Sequence, residues 1–389
     1  MTRESQLEDR EPVIVEAVRT AVGRRGGALR DWHAAALLAE TLKAIVARSG
    51  VPATRIDDVV AGCATQVGEQ AGNVGRTALL MAGFPVTVPG MTVQRACGSS
   101  QQAVHVADNM IRSGIAEIVI ACGVELMSKT QGGNEDTKYG RRHPEELVRR
   151  FSMPSMGEAA ERISDRWQLD RGYLDDLALR SHALATEATQ EGRFDRQIVP
   201  VVAVDGSPLT RDEGIRADAS REKLASLKTA FRENGRVTAG NASQVSDGAS
   251  AILVMSARAA REFGLRPRAR LKAQVVVGVD PELMLTGPIP ATQAILKRSG
   301  MALSEIDLFE INEAFAPILG SWLKEIEPDL DRVNVNGGSI AIGHPLGSTG
   351  ARLMTIMIDE LERRGGRYGL QSMCCGGGLG TATIVEALS

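Results

Sequence analysis

Four short turns carry the side chains able to do chemistry. In residues 91–111 an apolar run (Met91, Val93) ends in a polar turn holding Cys97, with Gly98, Ser99 and Ser100 just after it. A helical pattern follows, with Ala103, Val106, Ala107, Met110 and Ile111 on one face. A cysteine between a strand and a helix start meets free N–H groups and the positive end of the helix dipole, which favour thiolate over thiol. A small apolar cysteine buried near a turn would read the same way. The second turn is Asn312-Glu-Ala-Phe315, whose amide could orient a water or donate to an oxyanion, or simply cap a helix. In the third, residues 337–350, His344 stands between Gly343 and Pro345 and is held by rigid backbone on both sides; a hydrogen-bonded turn histidine is the alternative. Glycines at 343, 347 and 350 could cradle a phosphate before a helix, but no Gly-Lys-Ser/Thr follows, which excludes a P-loop. The fourth is Cys374-Cys-Gly-Gly-Gly378, where glycines would let a substrate approach and expose N–H groups as an oxyanion hole, or let a strand and helix pack closely.

The elements that must position these turns alternate between strand and helix. Residues 13–15 and 58–62 read as strands, and 32–48 as a helix with Asp31 as N-cap and Gly50 as its end. Helices are expected near 72–81 and after Cys97, and a strand at 117–122. Residues 131–150 are polar and read as a solvated excursion. Helices follow at 157–167 and from an Asp170 cap towards 190, a strand at 197–204, and irregular polar chain over 205–234. The strand pattern resumes at 250–255. A second series runs through a strand at 269–277, a helix at 290–298, strands at 308–311 and 333–335, a helix at 349–363 and a last strand leading to Cys374. Both series open a strand on Ile-Asp (Ile56-Asp57, Ile306-Asp307) and end in a Gly/Ser turn bearing Cys97 or His344 before an amphipathic helix, a weak repeat that suggests a duplicated α/β domain with a mainly parallel sheet. The expected division is 1–126 for one half, 127–244 for an inserted loop domain, 245–268 for the return to the first half, and 269–389 for the second half.

With 389 residues the chain can fill two or three cores, and 43% hydrophobic with 24% charged residues is ordinary for a globular protein. A net charge of −3 gives no reason to expect nucleic acid or an anionic membrane as partner. No apolar run approaches a membrane span, and the charged residues 1–12 have no secretory pattern. Five cysteines in so long a chain are expected as reduced thiols of a cytoplasmic protein, and none has metal-ligand spacing. His33, His105, His143 and His182 read as structural or solvated.

Two cysteines and a histidine in Gly-rich turns after strands, with an Asn nearby, resemble the thiolase family. The matching stretches span nearly the whole chain: Glu16-Ala-Val-Arg-Thr20, Cys97-Gly-Ser-Ser100, Gly240-Asn-Ala-Ser243 with Asp247-Gly-Ala249, Gly287-Pro-Ile-Pro290, Asn312-Glu-Ala-Phe315, Asn336-Gly-Gly338 through Gly343-His-Pro345, and Cys374 with Gly376-Gly-Gly378. The resemblance implies the thiolase fold: two similar α/β halves in a five-layered αβαβα core plus a loop domain. It implies cleavage of 3-ketoacyl-CoA by CoA, with coenzyme A as co-substrate and no resident cofactor, in a homodimer or homotetramer. Cys97 would be the nucleophile and His344 its base. Cys374 would be the acid that protonates the leaving enolate and then the base for CoA. One oxyanion site would use the His344 N–H with a water on Asn312, the other the backbone N–H groups of Cys97 and Gly376. CoA contacts map to Arg216, Ala239, Gly240 and Ser243, with Met284, Ala314 and Phe315 lining the pocket.

Two departures from biosynthetic acetoacetyl-CoA members bear on substrate: Ser155 in place of a histidine before Met156-Gly157, and Gln244 in place of a glycine. Gln244-Val-Ser-Asp-Gly248 is similar to degradative members. The Cys97 turn, Gly68-Glu-Gln70 and Asp331-Arg-Val-Asn-Val-Asn-Gly-Gly338 are also similar to actinobacterial steroid side-chain thiolases. The expectation is degradation of an acyl-CoA longer than acetoacetyl. The alternatives are acetyl-CoA C-acetyltransferase condensation and, from another class, a non-catalytic CoA-binding member of the fold.

Overall fold

The computed structural model describes residues 8–130, 140–141 and 143–388. The turn of Cys97 owes its place to a sheet that runs through the whole molecule. Nine of its eleven strands lie along one path: Leu308–Ile311, Tyr368–Cys375, Leu379–Ala387, Ala269–Gly278, Pro12–Thr20, Ser246–Ser256, Ile118–Leu126, Asp58–Gly62 and Gly90–Val93. The path divides in the middle, where Ile14 opposite Ala269 is the one register pair joining Pro12–Thr20 to Ala269–Gly278. On either side the order of elements is the same. Asp58–Gly62 corresponds to Leu308–Ile311, Ile118–Leu126 to Tyr368–Cys375, Ser246–Ser256 to Leu379–Ala387, and Pro12–Thr20 to Ala269–Gly278. Even the short Gly90–Val93 has a counterpart, reduced to a bridge between Val333 and Phe309, so the strand expected at 333–335 does not form.

Helical crossovers make the parallel pairs, Asp58–Gly62 with Ile118–Leu126 and with Gly90–Val93, and Leu308–Ile311 with Tyr368–Cys375. The antiparallel pairs come from Ser246–Ser256, which returns after the long insertion, and from the hairpin closed over Gly376-Gly-Gly378. The sheet is therefore mixed, a distinction that hydrophobic pattern does not encode.

Burial on both faces explains why the strands read as unbroken apolar runs. Val13, Val59, Ile118, Ile120, Leu253 and Met255 meet Leu37, Leu38, Leu42 and Ile45 of the outer helix Ala34–Ser49. Their neighbours Ile14, Val60, Val119, Ala121, Ile252 and Val254 face the opposite way. There they meet Ala103, Val104, Ala107 and Ile111 of Ser99–Arg112, and Met354, Met357 and Ile358 of Thr349–Arg364. On the far side, Phe309, Ile311, Leu370 and Ile384 pack on Ile289 and Ile295 of Pro288–Ser299 and on Leu319 and Trp322 of Ala316–Ile326. The result is five layers: helix, sheet, a central helix pair, sheet, helix.

Most helices start and stop close to their sequence signals. Gly50 ends the first in the left-handed region at φ 70°, and Asp170 caps Arg171–Gln190 by accepting from Tyr173 N. The first helix departs: it begins at Ala34, and His33, not Asp31, is the N-cap, its Nδ1 accepting from Ala35 N at 3.2 Å. Part of the polar excursion, 131–139 and Arg142, lies outside the described residues; Glu145–Arg150 is a short helix.

The stretch 205–234, expected to be irregular, holds a strand at Pro208–Leu209 paired with Val201–Val202 and a short helix at Arg221–Ala225, and is anchored from the core. Arg19 forms a bidentate pair with Asp212 at 2.7 and 3.0 Å, its Nε donates to Gln197 Oε1, and Asp212 Oδ1 also accepts from Val22 N. Both residues are buried. Removing one member of such a pair leaves the other charge uncompensated, so Asp212→Ala is expected to lower the unfolding free energy by about 3–5 kcal/mol, read from denaturant midpoints. Loss of less than about 1 kcal/mol would show that the anchor is dispensable.

Candidate active site

Cys97 lies in the turn between Gly90–Val93 and Ser99–Arg112, and the turn is locked from both ends. The Ser99 hydroxyl donates to Ala96 O at 2.6 Å and accepts from Arg95 N at 2.9 Å. Gly98 N donates to Arg95 O at 3.0 Å. Ala96 is forced into the left-handed region at φ 46°, a strained conformation for a residue with a Cβ. Gly98 is required for space, since a Cβ there would stand 2.7 Å from Cys375 Sγ. The thiol is thereby fixed at the wall of a cavity of about 330 Å³, lined also by His344, Gly376, Ser243, Ala314 and Phe315.

His344 enters that cavity from the second half. Gly343 precedes it at φ 112°, and a Cβ there would meet Ser246 Oγ at 2.5 Å. The ring is held by hydrogen bonds at both nitrogens, and their directions follow from the partners' other bonds. The Thr349 hydroxyl donates to Pro345 O at 2.8 Å, which assigns His344 Nδ1, 2.8 Å from Thr349 Oγ1, as donor to that hydroxyl oxygen. Nε2 is then the bare nitrogen, 3.2 Å from Asn312 Nδ2. The Asn312 amide presents its NH₂ because its Oδ1 accepts from Ser339 Oγ at 2.6 Å. A neutral imidazole with an unprotonated Nε2 can take a proton from a thiol when the Asn312 N–H gives up that lone pair.

Burial dominates the electrostatics. It pushes the Cys97 thiol up to about 12, with Cys375 adding to the rise and the Gly376 N–H opposing it. Of the two readings of this turn, an activated thiolate or a small buried cysteine, burial favours a resting thiol. Cys374, fully buried behind Cys97, is raised well above the usual thiol range by burial and then by Cys97. His344 is lowered to about 3 by burial and by the Arg352 cation.

These features agree with the comparisons to known proteins. Residues 12–258 match the family described as "Thiolase, N-terminal domain" and residues 265–387 match "Thiolase, C-terminal domain". The chain belongs to the thiolase family. It is 45% identical over 393 residues to the steroid 3-ketoacyl-CoA thiolase FadA6 of Mycobacterium tuberculosis, covering 97% of this chain and 94% of the relative. It is 43% identical over 386 residues to the 3-ketoacyl-CoA thiolase of Citrobacter koseri, covering 96% and 98%. Among solved structures, the acetyl-CoA acetyltransferase of Bacillus anthracis superposes with a TM-score of 0.90 at 42% identity, covering 97% and 98%.

The site residues expected of a thiolase fall into three groups in space. Cys97, His344, Gly376, Ser243, Ala314 and Phe315 share the cavity. Asn312 is fully buried behind His344, while Cys374 and Met284 sit beneath the cavity in one apolar cluster with Ala314. Arg216, Ala239 and Gly240 line a neighbouring cleft with Lys223, and Gln244 borders both openings. Of the two departures noted in the sequence, Ser155 caps the helix Met156–Arg166 by accepting from Glu158 N. Gln244 donates to Gly214 O at 2.8 Å, tying the 205–234 stretch to the site.

Sequence reading missed the groups that hold the thiolase site together. Glu125 is buried and accepts from Ala64 N, Thr65 N, Gln70 Nε2 and Gly347 N at 2.9–3.0 Å, joining one cavity wall to the turn after His344. A glutamate inside an otherwise apolar strand, Ile118–Leu126, was the available signal. Thr349 and Ser339 look like ordinary helix-start residues and gave none.

The depressed His344 has two consequences. An unfolded histidine binds its proton near 6.5 and this one near 3, so stability it contributes is present above 6.5 and is lost as pH falls through that window. Alkylation of Cys97 by iodoacetamide is expected to show no inflection near pH 6.5 between pH 5 and 8; an inflection there that disappears in His344→Asn would contradict the depression.

Proposed function

We propose that this chain is a degradative 3-ketoacyl-CoA thiolase acting on acyl groups longer than acetoacetyl. The carrying observation is the convergence of Cys97, His344 and Gly376 on one cavity whose other walls are mainly apolar: Ala64, Met127, Met156, Val245 and Leu346. Relatives named for 3-ketoacyl-CoA and steroid 3-ketoacyl-CoA substrates support it.

In this reading, His344 Nε2 takes the Cys97 proton and the thiolate attacks the 3-keto carbon. The oxyanion is met by the His344 N–H so formed and by a water held by Asn312. The C2–C3 bond breaks, leaving the shortened acyl group on Cys97 and an acetyl-CoA enolate. Cys374 gives the enolate its proton; a thiol made so weak an acid by burial suits a strongly basic carbanion. Cys374 then accepts the proton of incoming CoA–SH, whose sulfur attacks the Cys97 thioester. The second oxyanion rests on the N–H groups of Cys97 and Gly376, and removing one such donor typically costs about 10²–10³ in rate. Cys97 leaves as thiolate and recovers the proton held by His344.

CoA is co-substrate, its adenosine and phosphates assigned to the cleft of Arg216, Ala239, Gly240 and Lys223, within the 127–244 segment that we take as the loop domain between the two halves. A homo-oligomer is supported by the sheet edge at Gly90–Val93, paired on one side only among the described residues, with Leu80, Met81, Val86 and Met91 exposed around it. No helix among the described residues is long and apolar enough to cross a membrane; a cytoplasmic location is supported by the five cysteines, all free thiols.

The second reading, condensation of two acetyl-CoA, is favoured by the likeness to the Bacillus anthracis enzyme. Substrate preference separates the two. Thiolysis kcat/KM is expected to be higher for medium-chain or sterol-side-chain 3-ketoacyl-CoA than for acetoacetyl-CoA; a clear preference for acetoacetyl-CoA would sink the degradative reading. Cys97→Ser and Cys374→Ser are each expected to abolish turnover, and an active Cys374→Ser would refute its acid–base role.

A further inference from the structure

A buried arginine lies behind the His344–Asn312 pair. Arg352, on the central helix Thr349–Arg364, is 1% exposed. Its Nη2 donates to Ser339 Oγ at 2.7 Å and to Gly343 O at 3.2 Å. Among the described residues its Nε and Nη1 have no partner, and no carboxylate lies within ion-pair distance of it. A desolvated cation held by one nitrogen destabilises a fold relative to an apolar side chain of similar size. Asp212, Glu310 and Glu313 act on its charge from beyond ion-pair distance, while its two hydrogen bonds go to Ser339 and Gly343.

The two acceptors indicate its role. Gly343 immediately precedes His344. Ser339 holds Asn312. Because Arg352 only donates, Ser339 Oγ must accept from it, which leaves the single hydroxyl proton for Asn312 Oδ1 at 2.6 Å. The amide then presents its NH₂ to His344 Nε2, and the ring donates from Nδ1 to Thr349, whose hydroxyl donates to Pro345 O. The chain of donors runs one way from guanidinium to carbonyl. If Asn312 turned over, its oxygen would face Nε2 and favour the tautomer protonated there, which cannot accept a proton from Cys97.

We propose that Arg352 and Ser339 are positioning residues that fix the Asn312 amide and thereby keep His344 in the tautomer able to deprotonate Cys97. For its kinetic part the proposal rests on the thiolysis reading; its tautomer part does not.

The test is ¹⁵N-histidine NMR with steady-state thiolysis on the full chain, for wild type and Ser339→Ala, with the His344 signals identified by their loss in His344→Asn. Wild type is expected to show one tautomer, protonated at Nδ1. Ser339→Ala, folded by circular dichroism, is expected to show a mixture of tautomers and a kcat lowered about tenfold at unchanged KM for CoA, the size of one lost hydrogen bond. Arg352→Lys, which keeps a cation but loses the planar fork, is expected to show the same two changes; if it does not fold, Ser339→Ala decides. A folded Ser339→Ala with wild-type kcat overturns the proposal, and so does a lowered kcat with His344 still in one tautomer. A wild-type chain without thiolase activity would overturn the functional reading alone, and the spectra would still judge the positioning.

Discussion

The first turns of the two central helices touch, and the active site depends on that contact. Ser100 Oγ of the first accepts from Ala351 N of the second at 2.9 Å. Gly350 lies so close to Gln101 that a Cβ would approach its backbone nitrogen to 2.3 Å. Cys97 stands two residues ahead of one helix and His344 five ahead of the other. Cys97 from one half and His344 from the other can share a cavity only because small residues let these helix starts meet. The surrounding sheets hold the contact from both sides: alternate strand residues feed the central layer and the outer helices.

Burial makes that contact chemically useful. In water a thiol and an imidazole would each ionise within a unit or two of neutral pH. Here desolvation moves the Cys97 and Cys374 thiols up and the His344 imidazole down, so all three groups are neutral at rest. In the proposed reaction charge then appears only transiently, beside the Gly376 N–H and the His344–Asn312 pair. Cys97 and Cys374 differ in their surroundings as their assigned roles require. Cys97 reaches the cavity and has the Gly376 N–H, whereas Cys374 lies among Met284, Leu285 and Ala314.

Much of this was legible in the sequence, for physical reasons. Glycines at 98, 343 and 376–378 mark places where backbone must turn or pass closely, and the reactive residues sit beside them. Strands buried on both faces show as apolar runs, and the Ile-Asp openings betrayed the duplication. Less was legible where contacts join residues distant in the chain. Nothing near Cys97 decides between an activated thiolate and a buried thiol. Glu125, Arg352 and Ser339 carry no local signature, because their roles are defined by partners from other elements. The N-cap passed from Asp31 to His33 because both can accept from a helix N–H, and the choice is made by where the chain leaves the turn. The strand expected at 333–335 shrank to one bridge, with the Asn334 side chain bonding to Ile311 N and Ile311 O in its place.

The central claim is that an acyl group passes through Cys97 before it reaches CoA. The most direct measurement is intact-protein and peptide mass spectrometry after mixing the wild-type chain with a medium-chain 3-ketoacyl-CoA, without free CoA, and quenching in acid. The expected result is a mass increase equal to the acyl group shortened by two carbons, located on the peptide bearing Cys97 and discharged by added CoA. No adduct, or an acyl group located on a residue other than Cys97, would contradict it.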